Sequence, residues 1–502
     1  MAARAWIAVC AILLVACGGH AIGASDAATA GTAAVPAGDW MTFDYNSQRS
    51  GVGPADVGIG AGNVNRLKTR VVHVDGTVDS SAIELHGITV RGRARDMIVV
   101  TTTYGKTIAI DPGTGAKLWE FTPSSYRSVA GSSQITTATP VADPDRRFVY
   151  AASPDGRVHK LVLATGAEAR SGHWPVRVTF DASKEKLAGA LNVSGGLLLV
   201  TTGGYIGDSP TYEGHVVTID RGSGHIMHVW NAECSNRHQL LDPPSACKAD
   251  TTFGGSAIWA RSGAVVEPGT RRILVATGNG PFNGSTNWGD SVLELTPYAG
   301  RLLHSWTPTD QAQLNGNDTD LGSTAPAILP ATRGYRLAVQ GGKDGQLHLL
   351  NLNRLNGTRG GAGRRLGGEI ENVSAPGGAD VFTAPVVWSH ARHVYVFAAT
   401  DAGTAVYILR VGGRPHLAIA WQNGTSGTSP VLAGGLLYVY DENGGALNVY
   451  QPASGRRVAS LGASGGHWNS PIVVGGRVIL PTGNANDHAT SGEIFIYHLP
   501  GR

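Results

Sequence analysis

Five side chains in the middle of the chain are of types that could do chemistry together: Trp259, Asn279, Asp318, Asp320 and Lys343. Asn279 ends the tripeptide Thr277-Gly278-Asn279, the aspartates lie in NGNDTDLGS, and Lys343 lies in GGKDGQLHLL. An amide oxygen on a turn is a ligand that a hard cation accepts. A carboxylate can take a substrate proton, an ammonium can stabilise developing negative charge, and an indole can carry a flat ring. Each residue also has an ordinary structural reading. Asparagine tolerates positive φ in turns, and Thr482-Gly483-Asn484 repeats the tripeptide. Lys-Asp-Gly is hairpin-tip sequence, Asp320 can cap a turn, and Trp259 can pack between sheets.

Such residues need a scaffold, and composition limits which one. Gly supplies 70 of 502 residues, about twice the usual share, while charged residues make up only 15%. That balance suits a many-turned all-β chain, and 42% hydrophobic content is ample for a core. Forty basic and 37 acidic residues leave +3 with no basic run, so nucleic-acid binding has no electrostatic support. Other motifs are thin. No HExxH or Cys-x-x-Cys-His occurs, and His390 and His393 read as solvent-facing residues at a strand start. Gly462 to Gly466 fits GxSxG but no helix pattern follows it, and Gly58 to Gly62 lacks the strand and helix of a dinucleotide fold.

The scaffold is a repeat. Ile98 to Phe121 reads as three short strands separated by Tyr104-Gly105-Lys106 and by Asp111-Pro112-Gly113-Thr114-Gly115, with Trp119 on the third. Seven further copies follow, opening at TATPVAD, GALNVSGG, SAIWARSG, STAPAILP, FTAPVVWS, GTSPVLAGG and NSPIVVGG. Eight four-stranded copies predict an all-β, eight-bladed β-propeller over residues 39–502. Trp119, Trp230, Trp306 and Trp421 fall at equivalent outer-strand positions and read as packing between blades. Pro140, Pro326, Pro385, Pro430 and Pro471 recur on inner strands, where a sheet edge tolerates them. The eighth copy lacks a fourth strand, and RLKTRVVHV at 66–74 has the character to fill it and close the ring.

The pattern GxxxAxDxxTGxxxW, carried here by Gly105, Ala109, Asp111, Thr114, Gly115 and Trp119, resembles the repeats of pyrroloquinoline quinone (PQQ) propellers. That family implies eight blades with N-terminal closure. It contains quinoprotein alcohol and sugar dehydrogenases that hold PQQ and Ca2+ on the axis, and outer-membrane assembly-factor lipoproteins that serve as scaffolds. By that resemblance Asn279 matches a calcium ligand, Lys343 a residue contacting the quinone, and Asp318 or Asp320 the catalytic aspartate. Trp259 is then a platform for the cofactor. Tyr205 stands where the dehydrogenases keep a calcium-binding glutamate, with Glu213 nearby. Their adjacent-cysteine disulfide and a cytochrome segment are missing from the sequence.

The N-terminus reads as an export signal, with Arg4 before the apolar Ala5 to Ala16. Leu14-Val15-Ala16-Cys17 resembles a lipobox, which makes 1–17 the signal and Cys17 the lipidated residue; ordinary cleavage would end the signal near residue 24. Residues 18–38 read as a flexible tether. In an oxidising compartment Cys234 and Cys247 are expected to pair, closing a loop within the insertion 231–255, itself a candidate recognition surface. The expectation is a monomeric, exported, periplasmic propeller, outer-membrane-anchored by lipid or else soluble. Its role is a scaffold for an envelope protein or small ligand, or alternatively a PQQ- and calcium-dependent dehydrogenase.

Overall fold

The computed structural model describes residues 38–206, 212–241, 255–359 and 361–500. Eight four-stranded antiparallel sheets are the eight blades of a propeller. Blade one joins Ile83–Val90, Arg93–Thr101, Thr107–Ile110 and Lys117–Phe121 in chain order. Blades two to eight open on inner strands Val141–Ala142, Asn192–Ser194, Val265–Val266, Ala327–Thr332, Val386–His390, Val431–Ala433 and Ile472–Val474. Second strands such as Leu197–Thr201 and Ile273–Ala276 are buried at every residue, because each sheet is covered by a blade on both faces.

The repeat motif acts locally. Asp111 Oδ1 accepts from the N–H groups of Gly113 and Thr114 at 2.9 and 3.1 Å, and Gly115 takes φ +76° to complete the turn. Trp119 donates Nε1–H to Leu163 O at 2.8 Å and lies over Gly166 of the next blade, where any Cβ would sit 2.5 Å from the indole. Trp421 does the same to Pro452 O and Gly455. The turn glycine and the outer-strand tryptophan are thus two halves of one contact between blades.

Closure follows the expected route. Lys68–Val74 pairs antiparallel with Gly492–His498, from Lys68 opposite His498 to Val74 opposite Gly492, and becomes the outer strand of blade eight. The preceding segment does something the repeat does not foretell. Met41 O, Ser47 O, Ser50 O and Gly51 O accept from Ala142, Val266, Val387 and Leu432, on blades two, four, six and seven. Phe43 packs with Ala190 and Ala384, which belong to opposite sides of the ring. Residues 40–53 therefore form a plug in the axial channel. Arg49 anchors it, donating to Thr42 Oγ1, Phe43 O, Leu191 O and Ser262 O.

Two expectations need correction. SAIWARSG is not the inner strand of blade four, which is Val265–Val266; residues 256–263 instead run as a loop into the axis. The outer strand of blade five is Glu371–Ser374, reached only after an excursion from residue 352. The five prolines stand immediately ahead of their inner strands, where no ladder N–H is needed. Cys17 and Cys247 lie outside the described residues, as does most of the insertion 231–255. Among the described residues no helix is long and apolar enough to cross a membrane.

Candidate functional site

One offset in the repeat builds the axial mouth. Four residues ahead of successive inner strands stand Asp79, Thr137, Ala188, Arg261, Ser323, Phe382, Gly427 and Trp468. Side chains there from non-adjacent blades touch, which requires them to meet across the axis. Arg261 of blade four donates Nη2–H to Asp79 Oδ1 of blade one at 2.5 Å, and its guanidinium lies 5.6 Å from the ring of Trp468 in blade eight. Asp79 Oδ2 is 2.7 Å from His467 Nδ1 and accepts from Ala485 N–H at 3.0 Å. Burial would raise the Asp79 carboxyl, but Arg261 and His467 outweigh it and hold the group well below the usual carboxylate range.

The residues singled out from the sequence converge at this mouth. Asp320 Oδ1 accepts from Asn279 N–H at 2.8 Å, and its Oδ2 is 2.6 Å from Lys343 Nζ. Asp318 Oδ1 accepts from Asn279 Nδ2 at 3.1 Å and lies 3.4 Å from Lys343 Nζ. Asp320 is the enclosed carboxylate, at 11% side-chain exposure against 52% for Asp318. Burial raises the Asp320 carboxyl despite the opposing Lys343 ammonium. Gly278 permits this approach, because a Cβ there would fall 2.1 Å from Asp320 Oδ1. Behind Asp320, burial and the like charge of Asp320 push the Asp290 carboxyl well up.

Trp259 is not packed between neighbouring blades, as the plainer reading had it. It is part-exposed, 6.1 Å from Phe382 of blade six and 5.9 Å from Trp468 of blade eight, with Lys343 Nζ 5.8 Å from its ring. Phe382 and Trp468 stack at 5.0 Å and 16°. Three aromatic faces with cations beside them are a setting for a flat, anionic ring.

A calcium ion is less well provided for. Asn279 Oδ1 is a buried acceptor with no hydrogen-bond partner, as a cation ligand would be. Both Asp320 oxygens are already engaged, however, and a calcium ion takes six to eight oxygens. Tyr205 donates its hydroxyl to Ala182 O at 2.9 Å. Glu213 lies in a buried network, with its N–H on Glu185 Oε1 and its Oε1 accepting from Glu233 N–H, while Glu185 is 3.0 Å from His215 Nε2. Ser256 joins that network to the Asn279 backbone, donating its hydroxyl to Glu233 Oε1 at 3.3 Å and its N–H to Asn279 O at 2.8 Å. Among the described residues no group of three His, Cys, Asp or Glu side chains is arranged to hold a metal. The residues fit a flat ring and do not complete a calcium site.

Asp79, Arg261, Phe382, His467 and Trp468 were not foreseen. For Asp79, Arg261, Phe382 and Trp468 the signal was available as a fixed offset before each inner strand, but the offset shows only once the strand starts are known, and His467, one residue earlier than Trp468, falls outside it.

A family model described as the outer membrane protein assembly factor BamB matches residues 70–232. The dehydrogenase subunit of the quinone-dependent alcohol dehydrogenase of Acetobacter aceti is 26% identical over 308 residues, which cover 54% of this chain and 39% of that one. The match thus spans well under half of the relative's length. The solved quinohemoprotein alcohol dehydrogenase of Comamonas testosteroni superposes with a TM-score of 0.65 at 15% identity, over 93% of this chain and 81% of that one. A europium-containing methanol dehydrogenase gives the same score and identity over 92% and 98%. Eight closed blades and the GxxxAxDxxTGxxxW pattern agree with these likenesses, and the chain is an eight-bladed β-propeller similar to both quinoprotein alcohol dehydrogenases and BamB.

Proposed function

We propose that the axial mouth binds a flat quinone of the PQQ type and that the chain is a divergent quinone-dependent dehydrogenase acting on an alcohol or sugar. The observation that carries this reading is the Asp320 carboxylate, held between Asn279 N–H and Lys343 Nζ next to the Trp259 ring. A carboxyl raised by burial suits a base that takes a hydroxyl proton, and Asp320 fits that role better than the exposed Asp318. The quinone, when bound, would be the acceptor of the substrate's hydride. Trp259 would support its ring, and Lys343 would stabilise negative charge on its oxygens. No step is assigned to calcium.

A scaffold role is the second reading. The Asp320–Lys343 pair is closed on itself, the cation site is incomplete, and the family model matched is that of an assembly factor. On either reading the cell envelope is the proposed location. It rests on the export signal and Cys17, with a Cys234–Cys247 disulfide stiffening the insertion.

The test is a titration of the full chain with PQQ, with and without Ca2+, followed by dye reduction across simple alcohols and sugars. Quinone binding that weakens at least tenfold in Lys343→Ala, with dye reduction lost in Asp320→Asn, is expected. Absence of both binding and turnover would leave the scaffold.

A further inference from the structure

Three of the four outer-strand tryptophans donate their indole N–H: Trp119 to Leu163 O, Trp421 to Pro452 O, and Trp306 to Glu369 Oε2 at 2.9 Å. Trp230 of blade three makes no such bond among the described residues. Blade four keeps a turn at the matching place, Pro297-Tyr298-Ala299-Gly300, but bends it differently. Positive φ falls on Ala299, at +55°, and a Cβ at Gly300 would meet the His228 ring at 3.2 Å instead of an indole. A non-glycine residue in the left-handed region is strained, and such strain gathers where a surface is shaped for use. Where the other blades close, this junction holds a cavity of about 440 Å³ at the outer rim. Trp230, Trp288 and Leu302 form its apolar wall, Ser235, His238 and Arg301 supply polar groups, and no acidic residue lines it. Trp288 is fixed by donating Nε1–H to Ser235 Oγ at 2.9 Å.

The far side of the cavity is supplied by the excursion of blade five. Gly361 bridges to His304 and donates its N–H to His304 Nδ1 at 3.1 Å, and Gly367 N–H donates to Thr307 O at 2.7 Å. The excursion therefore runs along Leu302–Trp306, the outer strand of blade four. Ala362 lines the cavity, and a Cβ at Gly284, also in the lining, would sit 2.4 Å from Arg364 Cα. Residues 345–368 contain Arg354, Arg359, Arg364 and Arg365 and no Asp or Glu. All four arginines and Arg301 are exposed, and none has an ion pair among the described residues. Guanidinium forks without counter-ions match phosphate oxygens, and two of them call for two negative charges, which a phosphate monoester carries on one group.

We propose that the rim cavity between blades three and four binds a phosphate monoester, with Arg301 and Arg364 on the phosphate oxygens and the organic part against Trp288 and Leu302. The site is separate from the axial mouth and stands whether or not a quinone binds there. The charge gives affinity and the apolar wall gives preference for an ester over the bare ion.

The test is isothermal titration calorimetry of the full chain with phenyl phosphate, inorganic phosphate and phenol. Phenyl phosphate is expected to bind best, inorganic phosphate more weakly, and phenol not at all. Arg301→Gln and Arg364→Gln should each weaken phenyl phosphate at least tenfold; both residues are exposed, so the variants keep the fold. Arg456→Gln is the control and should bind as wild type does. Arg456 follows Gly455 as Arg301 follows Gly300, but Trp421 covers that turn. Cosedimentation with phosphatidylcholine vesicles, with and without phosphatidic acid, separates the sources of the ester. Capture by phosphatidic acid that is lost in Arg301→Gln supports the site as one for a lipid headgroup. Phenyl phosphate binding without capture supports it as one for a soluble ester. Wild type that takes neither phenyl phosphate nor phosphatidic acid would overturn the proposal. So would phenol binding as well as phenyl phosphate, or full affinity in Arg301→Gln and Arg364→Gln.

Discussion

Two buried aspartates in the same mouth behave in opposite ways. Asp79 faces a cation from another blade, Arg261 at 2.5 Å, while Asp320 faces one from its own blade, Lys343 at 2.6 Å. Asp79 adds His467 and the Ala485 N–H to its guanidinium partner, and its carboxyl is held low. Asp320 has one ammonium and one backbone N–H, its neighbours Asp318 and Asp290 are acidic, and its carboxyl is pushed up. Burial in both places therefore leaves one carboxyl held low and the other pushed up. The number and sign of the partners decide which.

Removing Asp79 should have the largest effect. Asp79→Ala leaves Arg261 buried without its carboxylate and should destabilise by about 3–5 kcal/mol in a urea melt. The matching change at Asp320 should be small. Asp320→Asn should shift stability by about 1 kcal/mol or less, because Lys343 keeps Asp318 and partial exposure, while dye reduction falls by about 10²–10⁴-fold. Comparable losses of stability at both positions would remove the distinction.

Acidification sharpens the contrast through its sign. A carboxyl depressed by folding stabilises the native state above its unfolded value of about 3.9, and that stabilisation is lost as pH falls towards the folded value. The gap between wild type and Asp79→Asn should therefore narrow below about pH 4. Asp320 is raised, so its ionised form opposes folding, and wild type should gain on Asp320→Asn as pH falls through the folded value. Thermal melts of both variants from neutral to acidic pH would read the two slopes.

The rim gives the smallest effects. Trp119→Phe keeps an aromatic ring over Gly166 but loses the bond to Leu163 O, a cost of about 1 kcal/mol by the same melt. Lys117→Ala breaks a surface pair with Glu120 and should cost about 0.5 kcal/mol or less. A rim change rivalling Asp79→Ala would mean that the blades, and not the axis, limit stability.

The amino-acid sequence by itself determined the blades. Asp111, Gly115 and Trp119 interact with residues a few positions away or with the next repeat, so their spacing states their contacts. Closure by Lys68–Val74 was equally legible, because a missing outer strand and a spare β-branched segment answer each other. Asn279, Asp320 and Lys343 could be named, but whether they met could not, since they arrive from three loops on two blades. The plug at 40–53 and the Asp79–Arg261 pair were decided only by tertiary structure. Each depends on closing the ring, which brings blades one, four and eight to a common axis that no local spacing encodes.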